Sequence, residues 1–158
     1  MVSSRAAPFA PFLMIRSAQR LCALPLDGVV ETMRALRIEG LAGAPPFVSG
    51  LSIVRGEAMP VVHLAHLLTG ELGTTPSRFV VVELARDRRV CLAVDEVLGV
   101  RGLDPDRESD LPPLLRDAGA ASVAALRTLD GELLWLLRAA RIVPDPVWQA
   151  LDERASQT

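Results

Sequence analysis

No lysine occurs in the chain: all 17 basic residues are arginine, set against 19 acidic ones for a formal net charge of -2 and a pI of about 5.7. The charges are scattered, and the lack of a basic stripe argues against a nucleic-acid partner or an anionic membrane surface. The arginine bias is explained first by codon usage, although a guanidinium also favours bidentate contacts. Cysteine is limited to Cys22 and Cys91, inside the apolar runs Leu21-Cys22-Ala23-Leu24 and Val90-Cys91-Leu92-Ala93-Val94. Both read as buried, reduced, structural thiols, and no set of further ligands stands at a spacing that would hold a metal. Long apolar runs are missing too. Half the residues are hydrophobic and mean hydropathy is +0.31, yet no run approaches the roughly 20 residues that cross a bilayer. The start, Met1 to Phe9, has an arginine but no continuous apolar stretch, so a signal peptide is not expected and the cytoplasm is. The apolar surplus must then enter a large core, a partner interface, or both.

What is present is a succession of short β-prone runs. Phe12 to Arg16 and Arg20 to Leu24 form two strands about the turn Ser17-Ala18-Gln19. Pro25 to Val30 suggests one or two helical turns, and Glu31 to Leu36 alternates like a half-buried strand. Residues 50 to 64 are the most organised stretch: Leu51 to Val54 and Ala58 to Val62 flank Arg55-Gly56-Glu57, a tight hairpin with an arginine at its tip. A short helix from His63 to Leu68 ends at Gly70. Two further strands, Phe79 to Leu84 and Arg89 to Val94, follow, the second continuing as a bent strand to Arg101. The Pro- and Asp-rich stretch from Leu103 to Gly119 reads as an exposed loop. A last hairpin, Ser122 to Leu129 and Glu132 to Leu137, turns on Asp130-Gly131. Short helices are expected from Leu137 to Ile142 and from Pro146 onward.

Nine or ten short strands with little helix predict an all-β barrel or sandwich. The β-rich blocks at roughly 11 to 63 and 78 to 137 fit two small barrels sharing one core, and no internal repeat is visible. Residues 1–10 are expected to be disordered, 11–143 to form the domain, and 144–158 a C-terminal helix and tail.

Candidate chemistry is sparse. His63 and His66 stand three apart on one helical face but lack further metal ligands, and capping the helix start is the simpler role for His63. Ser49 and Ser52 lie nearby without a nucleophile-elbow pattern, and the acids at 104 to 110 read as a solvated run. Trp135 reads as core, while Trp148 is free to cap the fold or to meet a partner. Arg55 and Glu31 are the candidate surface contacts, able to pair if the fold makes them neighbours.

Four stretches in order resemble the CheW-like domain family. Leu24-Pro25-Leu26-Asp27-Gly28-Val29-Val30-Glu31 is similar to its "(I/L)P(I/L)xxVxE" segment, and Pro45 to Gly56 to its "PxxxxGxxNLRG" stretch. Met59 to Leu64 corresponds to "xPVVDL", and Val90 to Val100 to "xxGxxVDxVxxV". The sequence departs at Ile53 for Asn, His63 for Asp, Thr32 for an aliphatic residue, and in the abbreviated first turn. The resemblance implies two intertwined five-stranded SH3-like β-barrels with short connecting helices, no enzymatic activity and no cofactor. It implies a scaffold joining a chemoreceptor's cytoplasmic tip to a CheA-like histidine kinase. Carried over by position, Val29, Glu31, Gly50, Arg55 and Gly56 would face the receptor. A small-molecule-binding β-barrel is the alternative, which an apolar cavity with converging polar groups would favour; an esterase-like enzyme using Ser52 is a further one.

Overall fold

The sequence's β-prone runs become ten strands in a computed structural model that describes residues 9–73, 75–84, 87–104, 123–138 and 148–149. In chain order they are β1 (Ala10–Ser17), β2 (Arg20–Pro25), β3 (Val29–Arg34), β4 (Val48–Val54), β5 (Glu57–His63), β6 (Arg78–Leu84), β7 (Arg88–Val94), β8 (Glu96–Leu103), β9 (Val123–Leu129) and β10 (Glu132–Leu137). A 3-10 turn, Leu26–Gly28, separates β2 from β3, and helix α1 (Leu64–Thr69) follows β5. No described helix is long and apolar enough to cross a membrane.

The strands form two five-stranded sheets, ordered β8-β1-β2-β10-β9 and β3-β6-β7-β5-β4. Each half of the chain repeats one plan of hairpin, single strand, hairpin: β1-β2, β3, β4-β5, and then β6-β7, β8, β9-β10. The first hairpin of each half sits in the sheet that the other half completes. β1-β2 pairs antiparallel with β8 and parallel with β10, as β6-β7 pairs antiparallel with β3 and parallel with β5. The two halves are therefore exchanged rather than adjacent. Among the described residues neither sheet closes by a ladder between its edge strands.

This exchange leaves the central strands with no solvent face. Leu13, Ile15, Cys22, Leu24, Val80, Val82, Leu92 and Val94 pack into the layer between the sheets. Their alternates turn the other way, Phe12, Met14, Leu21 and Ala23 into the hollow of the first sheet and Phe79, Val81, Cys91 and Ala93 into that of the second. Continuous apolar runs such as Phe79 to Val82 are what double burial demands. Both cysteines are free and fully buried, and burial pushes each thiol up to about 12.

Two sequence expectations shift. Val29 and Val30, expected at the end of a helical turn, open β3, because the turn stops at Gly28. The bent strand from Val94 divides at Asp95, where the chain passes from one sheet to the other. Asp95 holds that crossing: its N–H donates to the Arg16 carbonyl at 3.0 Å, and its Oδ2 accepts from the Ala18 N–H at 2.9 Å. Trp148 is buried against the inter-sheet layer, with the Arg88 guanidinium 4.9 Å over its ring. Two further bounds move: Ala10, within the disorder expected over 1–10, opens β1, and Leu103, expected to begin the exposed loop, closes β8 and is buried. The disorder expected at 1–8, the loop at 105–119, the helix through 139–142 and the tail beyond 149 lie outside the described residues.

The abbreviated β1-β2 turn has positive φ at both Ala18 (51°) and Gln19 (64°) without a glycine. A left-handed non-glycine residue costs roughly 1–2 kcal/mol, partly offset by the greater chain entropy of glycine. Gln19→Gly is thus expected to stabilise the fold by about 1 kcal/mol, read as a higher denaturant midpoint at unchanged slope.

Candidate functional site

The β4-β5 hairpin turns through Arg55 (φ 51°) and Gly56 (φ 79°), both left-handed. That is the type I′ pattern, whose twist matches paired strands and whose first position favours Asn, Asp or Gly. The β9-β10 hairpin has the same geometry with the favoured residue there, Asp130 (φ 52°) before Gly131 (φ 81°). Arginine at the first position is the less suitable turn residue, so the turn alone does not account for it.

From this tip the Arg55 side chain reaches back to the opposite edge of its sheet. Its Nε and Nη2 donate to Glu31 Oε2 and Oε1 at 3.0 and 2.8 Å, a two-pronged pair. The guanidinium side chain remains 76% exposed and the carboxylate 25%. The hydrogen bond from Arg55 holds the Glu31 carboxyl below its ordinary range, and the same bond raises Arg55. A depressed carboxyl contributes above its unfolded pKa, so this pair is intact at neutral pH and opens only on acidification below the ordinary carboxylate range. The neighbours expected from sequence thus do pair.

The other expected residues take different places. Gly56 is the exposed second residue of the turn. Gly50 is buried, with φ 146°, and a Cβ there would lie 1.9 Å from the Glu39 carbonyl oxygen. Its role is to admit the β3–β4 connection, which pairs with Leu51 through Glu39 N–H to Leu51 O (2.8 Å) and Leu51 N–H to Glu39 O (2.7 Å). Val29 is half-buried against the inter-sheet layer. A bulge between Val29 and Glu31 turns the intervening Val30 outward, and Ile53, at 64%, is also exposed on β4. Reading the motif alone misses Val30 and Ile53 as the exposed aliphatics of this surface. The bulge that exposes Val30 has no local sequence signal, whereas Ile53 stands out in the sequence as a departure from the motif.

The exchanged architecture gives the other sheet a counterpart. Asp130 at the β9-β10 tip accepts from Arg101 Nη1 on edge strand β8 at 2.9 Å, the same tip-to-edge link with the charges interchanged. Arg16 and Glu132 form a second two-pronged pair on that sheet, at 2.6 and 3.2 Å.

The remaining candidates have structural roles. His63 Nδ1 accepts the His66 N–H at 3.2 Å and caps α1, which closes on Gly70 at φ 80°. The Ser52 hydroxyl is buried and donates to the Arg37 carbonyl at 2.6 Å, tying down the β3–β4 connection rather than facing a base. Trp135 is half-buried under the Arg20 guanidinium, 4.9 Å from its ring. Among the described residues no group of three or more His, Cys, Asp or Glu could hold a metal ion.

The chain is 30% identical over 120 residues to Protein FrzA of Myxococcus xanthus, covering 75% of this chain and 74% of that one. It is 34% identical over 101 residues to Protein PilI of Pseudomonas aeruginosa, covering 63% and 57%. The fold superposes with a TM-score of 0.69 on the scaffolding protein TtCheW from Thermoanaerobacter tengcongensis, at 22% identity and over 82% of this chain and 89% of that one. The CheW-like domain matches residues 11–147, a range that reaches all ten strands, and the chain belongs to the CheW-like domain family.

Proposed function

We propose that the chain is a non-enzymatic cytoplasmic scaffold, free of cofactors, that couples a methyl-accepting chemoreceptor to a CheA-type histidine kinase in chemosensory signalling. The match of the CheW-like domain over residues 11–147 carries this reading. Each sheet is read as an SH3-like barrel, which the tip-to-edge ion pairs Arg55–Glu31 and Asp130–Arg101 support, since they draw opposite edges of each sheet together. The domain is taken as 11–143, with the remainder as its tail.

The receptor-facing surface in this reading is the Arg55–Gly56 tip with Glu31, set in place by Val29 and Gly50. Arg55 supplies an exposed guanidinium fixed by its carboxylate partner, and Val30 and Ile53 add apolar area beside it. A rigid body of this kind works by geometry: a receptor helical hairpin and a kinase domain are held at fixed separation, so a change in one is felt by the other. Interfaces of this class bury about 1,600 Å² or less, with a few anchors carrying the affinity.

The test is reconstitution. Purified chain mixed with receptor cytoplasmic fragments and a CheA-type kinase from the same genome is expected to co-sediment with both and to make kinase activity depend on the receptor. Sedimentation of receptor and kinase without the chain, at concentrations where a known coupling protein is recruited, overturns the proposal.

A further inference from the structure

At the end of the second sheet away from Arg55, the hollow opens into a cavity of about 400 Å³. Its floor is Phe79 and Ala93, both nearly fully buried, and its rim carries Leu36, Ile38 and Leu72, three of the exposed large apolar residues among those described. Its polar side chains are Ser49, His63 and Thr75. Among the described residues the lining contains no arginine, aspartate or glutamate.

The walls are fixed by main-chain bonds. Ala35 N–H donates to Ser77 O at 3.0 Å, Ser77 N–H to Val94 O at 3.2 Å, and His63 N–H to Phe47 O at 2.8 Å. The Ser52–Arg37 bond and the Glu39–Leu51 bridge hold the connection that carries Leu36 and Ile38. Ser49 stands six residues from Arg55, about 20 Å along a strand, which separates the cavity from the tip. A preformed apolar hollow of this size with a few polar groups in its lining is the form of a small-molecule site.

We propose that this cavity binds a small uncharged molecule with a compact aromatic or branched aliphatic body and a single hydrogen-bond acceptor. The body lies on Phe79 and Ala93, and the acceptor meets the Ser49 and Thr75 hydroxyls. Charged ligands are disfavoured because the described lining has no arginine, aspartate or glutamate to offset their desolvation, and His63 Nδ1 is already engaged as the acceptor of the His66 N–H. The site stands independently of the scaffolding role and gives such a scaffold a second input.

Acetophenone is the probe, with ethylbenzene lacking the acceptor and benzoate carrying a charge. Titrations followed by amide ¹H–¹⁵N shifts are expected to saturate for acetophenone, with the shifts centred on Ser49, Phe79 and Ala93. Ethylbenzene should bind about fivefold more weakly, one hydrogen bond's worth, and benzoate should cause no saturable shift. Ser49→Ala combined with Thr75→Val should bring acetophenone down to the ethylbenzene affinity. Ala93→Leu, which fills the floor, should abolish both, and Leu72→Ser at the exposed rim offers a milder block if that variant folds poorly. Shifts that do not saturate, that centre elsewhere, or that are indifferent to these substitutions overturn the proposal. Tight benzoate binding does so too.

Discussion

Gly50→Ala is expected to destabilise the domain by about 3 kcal/mol or more, although it adds one methyl group. Two costs combine. At φ 146° an L side chain is strained whatever the space around it, and the new Cβ would lie 1.9 Å from the Glu39 carbonyl oxygen and 2.7 Å from its carbon. Those are backbone atoms held by two hydrogen bonds to Leu51, so relief requires the whole β3–β4 connection to move. That movement would also strain the buried Ser52–Arg37 bond. Gly40→Ala is the matched control, since nothing lies within 4 Å of the point where its Cβ would stand and its φ is unexceptional. Chemical denaturation of both variants checks the prediction. Equal midpoints would mean that the connection yields freely and that Gly50 is not a structural necessity. Receptor binding by Gly50→Ala has meaning only relative to its folded fraction, because a loss through misfolding would mimic a lost contact.

The legible parts of this molecule are the local ones. Short apolar β-prone runs and the dipeptides Arg55-Gly56 and Asp130-Gly131 locate the hairpins, because a type I′ turn is specified by two adjacent residues. The exchange of hairpins between halves is not legible, since pairing β1 with β8 or β5 with β7 is decided by burial across the chain and not by neighbours. Double burial also hides the repeat: strands apolar on both faces keep little pattern for a duplication to preserve. At the site, motif and charge single out Glu31 and Arg55, and their pairing follows. Gly50's close approach to Glu39 and the outward turn of Val30 depend on a contact and a bulge made in three dimensions, which a residue type does not encode.

Exchanging the charges of the site, Glu31→Arg with Arg55→Glu, is expected to leave the fold intact and to weaken receptor binding by about 30-fold or more, the level at which an interface residue counts as a hot spot. The pair lies at the surface, and the swap re-forms an arginine–carboxylate contact between the same two positions, so thermal midpoints should stay close to the starting protein. What changes is the sign of the charge displayed at the tip, where 76% of the Arg55 side chain meets solvent. Each single reversal, Glu31→Arg or Arg55→Glu, sets like charges together, and both should bind poorly for that reason alone. The swapped double variant therefore separates the two accounts. If the partner reads the tip's positive charge, binding stays lost although the intramolecular pair has returned. If binding recovers to within about threefold, well under one hot-spot residue's worth, the pair only braces the hairpin and the receptor contact lies elsewhere. Arg55→Asn adds an independent arm, because asparagine suits the first position of a type I′ turn better than arginine. That variant should be as stable as the starting protein or more so, yet bind receptor fragments weakly. A residue whose replacement improves the turn and damages the assembly is retained for its partner.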